Sequence, residues 1–99
     1  MAVLRVFLSA FLAGLVLLPA TALAAGAPEY DINRPGGDFD HIVLDVDAPL
    51  ECRRICEGNP ACEAWTYVKP GIQGPMPMCW LKDVVPEPAF DTCCTSGVK

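Results

Sequence analysis

The chain has little positive charge and almost no histidine. Its 99 residues include seven Lys or Arg against twelve Asp or Glu, which gives a net charge of −5 at pH 7. Nucleic acids and anionic membrane surfaces are bound through basic patches, so this balance argues against both as partners. The single histidine, His41, has no base–nucleophile signature around it, and no hydrolase is indicated. We therefore predict a protein that is not an enzyme.

Cysteine is missing from the first half of the chain. All six cysteines lie at or after residue 52, namely Cys52, Cys56, Cys62, Cys79, Cys93 and Cys94. The Cys-x-x-Cys motif that thiol oxidoreductases place beside a helix start is absent from the sequence. Cytosolic cysteines at this density would suggest metal or redox chemistry, whereas exported ones predict a disulfide framework.

The prediction of export comes from residues 1–25. Arg5 carries the one early positive charge, residues 6–18 are almost wholly apolar, and residues 22–24 read Ala-Leu-Ala. This is the organisation of a cleavable secretory signal. The apolar run is shorter than the about 20 residues that a membrane-spanning helix needs. We expect signal cleavage, no stable membrane insertion afterwards, and a secreted or periplasmic domain at residues 26–99.

One helix is predicted, over residues Pro49–Glu57. Proline suits the first helical position, where its missing N–H costs nothing. Gly58 is expected to end the helix in a left-handed conformation. Cys52 and Cys56 are four positions apart and therefore lie on the same side of the helix.

Strands are predicted around this helix in a single domain. β-Branched and alternating residues favour strands at His41–Asp47, Cys62–Val68 and Met78–Lys82. The first part of the domain, residues 26–40, is rich in Gly, Pro and Asp and is expected to be an extended lead-in. The last residues, 93–99, are expected to add a short edge strand.

In order and spacing, these segments resemble the PAN/apple domain in the compact form found in bacterial exported proteins. The resemblance covers nearly all of residues 30–99. The matching motifs are Arg34-Pro35-Gly36-Gly37-Asp38, Cys52-x-x-x-Cys56, Cys62-x-Ala64-Trp65-Thr66-Tyr67-Val68, Cys79-Trp80-Leu81-Lys82 and Cys93-Cys94-Thr95-Ser96-Gly97-Val98-Lys99.

The resemblance implies an α+β, disulfide-rich module in which one helix packs on a twisted antiparallel sheet. It also implies the bridges Cys52–Cys79 and Cys56–Cys62. Helix geometry agrees that the two helical cysteines do not pair with each other. Their Cβ atoms would be about 5–6 Å apart, whereas a bridge needs about 3.8 Å.

The end of the chain departs from full apple domains, which join their two termini with a third bridge. An N-terminal cysteine is missing, and two adjacent cysteines, Cys93 and Cys94, lie near the end. A vicinal bridge, free thiols and a bridge between chains remain open for this pair.

The function that the resemblance implies is a non-catalytic exported binding module for protein–protein or protein–carbohydrate contacts, without cofactor or metal. Aromatic and Arg side chains dominate binding hot spots. The candidate contact residues are therefore Arg53, Arg54, Tyr67 and Trp80. Tyr67 and the arginines are expected at the surface, whereas Trp65 is expected in the core.

Two alternatives give the chain a chemical role in the periplasm. The first is thiol redox chemistry at Cys93 and Cys94. The second is copper binding, because Met76 and Met78 offer the soft sulfur ligands that suit Cu(I), together with His41.

Overall fold

The computed structural model describes residues 26–99, which contain one helix and five strands. The strands are β1 (Glu29–Asn33), β2 (Asp38–Val43), β3 (Ala64–Val68), β4 (Met78–Lys82) and β5 (Ala89–Val98), and the helix is α1 (Pro49–Glu57). The strands form one antiparallel sheet in the order β1-β5-β3-β4-β2, and α1 packs on β3 and β4. The predicted α+β architecture is confirmed.

The predicted signal peptide at residues 1–25 lies outside the described residues. In the part of the chain that the structure covers, no helix has the length and apolar character needed to cross a membrane.

Helix α1 has the predicted bounds but a different ending. Gly58 has φ −83°, a right-handed conformation, so the prediction of a left-handed stop is wrong. Its N–H donates to the carbonyl of Arg54, and the N–H of Asn59 donates to that of Cys56. The hydrogen bond from Asn59 reaches back three residues instead of four, so the last turn of the helix is tighter than the rest. The chain then continues to Cys62 without a left-handed residue.

The core lies between α1 and one face of the sheet. It contains Leu44, Cys52, Cys56, Cys62, Trp65, Tyr67, Cys79 and Leu81. Two disulfides run through it, and they are the pairs that the resemblance implies. Cys52 is joined to Cys79 on β4, and Cys56 to Cys62 just before β3, each with a Cα–Cα distance of 5.3 Å. Trp65 is fully buried here, as predicted.

The sheet differs from the prediction at both ends of the domain. The lead-in contains strand β1, which pairs with β5. Strand β5 consequently lies between β1 and β3 and is ten residues long, so the prediction of a short edge strand is wrong. Strand β2 also begins and ends earlier than predicted, because the chain turns inward after Val43 to place Leu44 in the core.

Candidate binding groove

A groove of about 720 Å³ lies on the face of the sheet opposite α1. Side chains alternate between the two faces of a strand. Cys79 and Leu81 of β4 face the helix, so Trp80 and Lys82 face the groove. Thr66 of β3 is paired with Trp80 on one side and with Ser96 of β5 on the other. Strand β3 lies between β4 and β5, so we call its lining residues the floor of the groove and those of β4 and β5 its walls.

Trp80 is held in one orientation at the groove. Its indole N–H donates to Oε1 of Gln73 in the β3–β4 loop, at 2.8 Å. The ring of His41, its partner on β2, lies with its centroid 4.8 Å from that of Trp80 and is tilted by 32°. The indole is half-buried and contributes to the lining of the groove. A fixed aromatic surface of this kind can pack against an apolar ligand face with little loss of side-chain entropy.

Lys82 carries a buried positive charge that is neutralised locally. The residue is only 2% exposed. Its ammonium group donates to Oδ1 of Asp38 at 2.6 Å and to the carbonyl of Gly36 at 3.0 Å. A buried charge is tolerated only when it is paired. These two contacts of Lys82 hold Gly36, and Asp38 at the start of β2, against β4.

The hydroxyl group of Thr66, at the floor of the groove, is linked to that of Ser96, which is fully buried beside it. The Oγ atoms of Thr66 and Ser96 are 2.8 Å apart, and Ser96 donates to the carbonyl of Ile32 at 2.8 Å. Ser96 has a single hydroxyl proton, so Thr66 is the donor between the two. The Thr66 oxygen keeps acceptor capacity for a ligand.

Cys93 and Cys94 are joined to each other and line the groove on β5. Cys94 is buried and Cys93 is half-buried. The N–H of Cys93 donates to Oδ1 of Asp91 at 3.1 Å. The structure thus has a vicinal bridge where the sequence left three possibilities, and it contributes sulfur atoms to the wall of the groove.

The two candidate arginines lie on α1, on the other side of the sheet from Trp80. Arg54 donates from Nε to Glu51 at 3.0 Å. Arg53 is 4.0 Å from Glu57 and also reaches the carbonyl of Gly26 at 3.4 Å. These arginines therefore do not share one surface with Trp80.

Tyr67 was expected at the surface, and this expectation is wrong. The residue is 1% exposed and belongs to the core, and its hydroxyl donates to Asp47. Strand β3 is buried because β4 and β5 flank it and α1 covers it, an arrangement that the local sequence does not reveal. Burial, together with the bond to the Asp47 carboxylate, raises the pKa of Tyr67 well above its usual value.

Arg34, which belongs to one of the motifs that resemble the family, has a supporting role in the structure. Its guanidinium donates to both carboxylate oxygens of Glu29, at 2.9 and 2.8 Å, and to the carbonyl of Pro86 at 2.6 Å. The hydrogen bond to Glu29 raises the pKa of Arg34 although burial opposes it. This contact ties β1 to the segment that precedes β5.

The residues proposed for copper lie near the β3–β4 loop. Met76 is exposed in that loop, and Met78 begins β4 opposite Val43 and Val68. The neighbouring Cys79 is bonded to Cys52 and so has no thiolate to offer. Within residues 26–99, no three His, Cys, Asp or Glu side chains are grouped closely enough to hold a metal ion.

Alternation along β4 alone would have placed Lys82 on the same face as Trp80, whereas the face of Thr66 follows from the register between β3 and β4. For Gln73, Asp38 and Cys94 the sequence gives no comparable indication. These residues lie in three other segments, which meet at the groove only when the sheet has formed.

No curated protein and no solved structure matches the chain. The family model of the PAN domain matches residues 32–82, just over half of the sequence. This stretch runs from the end of β1 to the end of β4 and contains both core disulfides. Together with the single helix on an antiparallel sheet, the match shows that the chain belongs to the PAN domain family.

Proposed function

We propose that this protein is an exported, non-catalytic binding module whose ligand occupies the groove. PAN domains are generally modules that bind proteins or carbohydrates. The observation that carries the proposal is the groove itself, with the fixed indole of Trp80 at its wall. Its volume of about 720 Å³ falls within the roughly 300–1,000 Å³ typical of ligand sites.

The contacts within the groove support binding in preference to catalysis. Lys82 is engaged by Asp38, and His41 packs against Trp80. Cys93 and Cys94 are bonded to each other. Lys82, Cys93 and Cys94 of the described lining, and His41 behind Trp80, thus serve structural contacts, and none of the four forms the nucleophile–base pair of covalent catalysis.

Export is part of the proposal. Disulfides form and persist in oxidising compartments, and the three bridges of the described domain fit a secreted or periplasmic protein. N-terminal sequencing of the protein recovered from the periplasm or medium should begin after Ala24 or Ala25. A chain that begins at Met1 would contradict cleavage.

The groove is tested with the exported protein, produced from the full chain, on glycan and peptide arrays. Trp80→Ala should weaken the strongest interaction roughly 30-fold, since truncating a hot-spot aromatic residue costs about 2 kcal/mol or more. Arg54→Ala, on the opposite side of the sheet, is the matched control and should bind as wild type does. If Arg54→Ala weakens binding and Trp80→Ala does not, the site is on the helix.

A further inference from the structure

The groove contains features that point to one class of ligand. We propose that it binds a neutral saccharide, with one face of a sugar ring on the indole of Trp80 and the hydroxyl groups on the polar floor and loop. This inference rests on the proposed function and narrows it from proteins or carbohydrates to uncharged carbohydrates.

Size and shape favour a small ligand over a protein surface. A stable protein interface covers about 800 Å² of each partner, which is a broad and mostly flat area. The groove is instead an open, concave site of about 720 Å³, lined by β3, β4, β5, the β3–β4 loop and the segment from the end of β1 to the start of β2. Its floor is the face of β3, whose backbone is already paired with β4 and β5. An extended peptide would therefore find no open backbone groups there for strand addition.

The polar groups fit hydroxyl ligands, which both donate and accept hydrogen bonds. Oε1 of Gln73 accepts the indole N–H, so the amide NH₂ of Gln73 is the end left to donate. Thr66 donates to Ser96, so its oxygen is the part left to accept. The groove thus offers a donor in the exposed loop and an acceptor on Thr66, the residue paired with Trp80 and 2% exposed at the floor. This arrangement matches the apolar face and hydroxyl rim of a sugar ring.

The charges of the groove disfavour acidic glycans. Among the described lining residues, Lys82 is the only cation, and Asp38 and Asp91 are the anions. Lys82 is occupied by Asp38 and by the carbonyl of Gly36. Sulfate and uronate groups are bound through available Arg or Lys side chains, and here they would meet the carboxylate of Asp91 instead. We therefore expect neutral sugars to bind and acidic sugars to be rejected.

The test uses the exported protein and the intrinsic fluorescence of Trp80, since Trp65 is fully buried in the core. The neutral probes are cellobiose, lactose, maltose and N,N′-diacetylchitobiose, with their longer oligomers. The acidic probes are oligogalacturonate and heparin-derived oligosaccharides. At least one neutral series should change the fluorescence and show saturable binding by calorimetry that is insensitive to salt.

Four variants separate the possible results. Trp80→Ala should weaken neutral-sugar binding roughly 30-fold, and Gln73→Ala should weaken it without affecting the sheet, since Gln73 is exposed in the loop. Arg54→Ala should have no effect. Trp80→Phe keeps an aromatic ring and should retain part of the affinity. This conservative variant keeps the test decisive if Trp80→Ala fails to fold.

Two outcomes would overturn the inference while leaving the proposed function in place. Binding of acidic glycans through Trp80 would show that the ligand class is wrong. Binding of a peptide, lost in Trp80→Ala, with no sugar bound, would show that the groove serves a protein partner. If ligands are bound equally well by Trp80→Ala and Gln73→Ala, the groove is not the site, and the proposed function fails with the inference.

Discussion

At the scale of single residues, Gly97 shows how closely the sheet approaches the core. Trp65 is buried opposite Gly97 in the register of β3 and β5. A Cβ atom added to Gly97 would lie 2.6 Å from Cε2 and Cζ2 of the Trp65 indole. The absence of a side chain on β5 is therefore what leaves room for the largest side chain of the core.

Gly97→Ala should destabilise the domain by about 1–3 kcal/mol, the usual cost of overpacking a close-packed core. The decrease should be measured by urea unfolding followed by circular dichroism. Gly58→Ala is the matched control, because Gly58 has an ordinary right-handed conformation and an added Cβ would have no neighbour closer than 3.6 Å. Equal stability of the two variants would show that Trp65 can move away from β5.

Tyr67 makes stability depend on alkaline pH. Its pKa is raised by burial first and by the bond to Asp47 second. Because the folded pKa is higher than the unfolded value of about 10, the contribution of Tyr67 is fully present below pH 10 and is lost as the pH rises above it. The free energy of unfolding should therefore fall between about pH 10 and pH 11.

This fall should be smaller in Tyr67→Phe, which has no phenol to ionise. That variant should also be less stable by about 1 kcal/mol at neutral pH, because it loses the hydrogen bond to Asp47. Tyr30→Phe is the control, since Tyr30 is 62% exposed. Parallel pH profiles for wild type and Tyr67→Phe would mean that Tyr67 does not ionise differently in the folded protein.

At the scale of elements, two bridges hold α1 against the sheet, and they close loops of different length. Cys52 and Cys79 are 27 positions apart, whereas Cys56 and Cys62 are 6 positions apart. A cross-link stabilises mainly by restricting the unfolded chain, and the effect grows with loop length. The bridge between α1 and β4 should therefore contribute more to stability than the bridge at the end of the helix.

Replacing both Cys52 and Cys79 by Ala should cost about 3.5 kcal/mol, and replacing both Cys56 and Cys62 by Ala about 2.2 kcal/mol, from the loop-length relation. The two double variants remove the same atoms from equally buried positions, so each is the control for the other. Chemical unfolding of both proteins measures the difference. The opposite order would indicate that local structure around Cys62, not loop length, dominates.

Local patterns in the sequence were sufficient for α1 and β4, whose predicted bounds agree with the structure. Both signals, proline at the helix start and the alternation of side chains, depend only on residues a few positions apart in the chain. The position of β5 depends instead on pairing between Glu29 and Ser96, which are far apart in the chain. The groove could not be predicted for the same reason, because the order of strands decides which side chains meet.

At the scale of the whole molecule, the three bridges differ in accessibility. The four core cysteines are fully buried, whereas Cys93 at the groove is half-buried. Accessible disulfides exchange with thiols more readily than buried ones. The vicinal bridge also joins adjacent residues, so opening it frees no long loop of the unfolded chain.

A low concentration of dithiothreitol should therefore open Cys93–Cys94 first and leave the domain folded. After alkylation, mass spectrometry should find the label on these two cysteines, while circular dichroism stays unchanged. A Cys93→Ser and Cys94→Ser double variant should take up no label under the same conditions. Simultaneous labelling of all six cysteines, together with loss of structure, would show that the three bridges open as one unit.

The separation of the two faces of the sheet has a consequence for protein engineering. The two core bridges and the helix secure one face, while the loop of residues 69–77 and the groove, with the vicinal bridge in its wall, occupy the other. Ile72 and Gln73 are exposed in this loop and lie outside the core. Randomising such positions would vary the recognition surface without changing the cross-linked side, so the domain has the layout of a display scaffold.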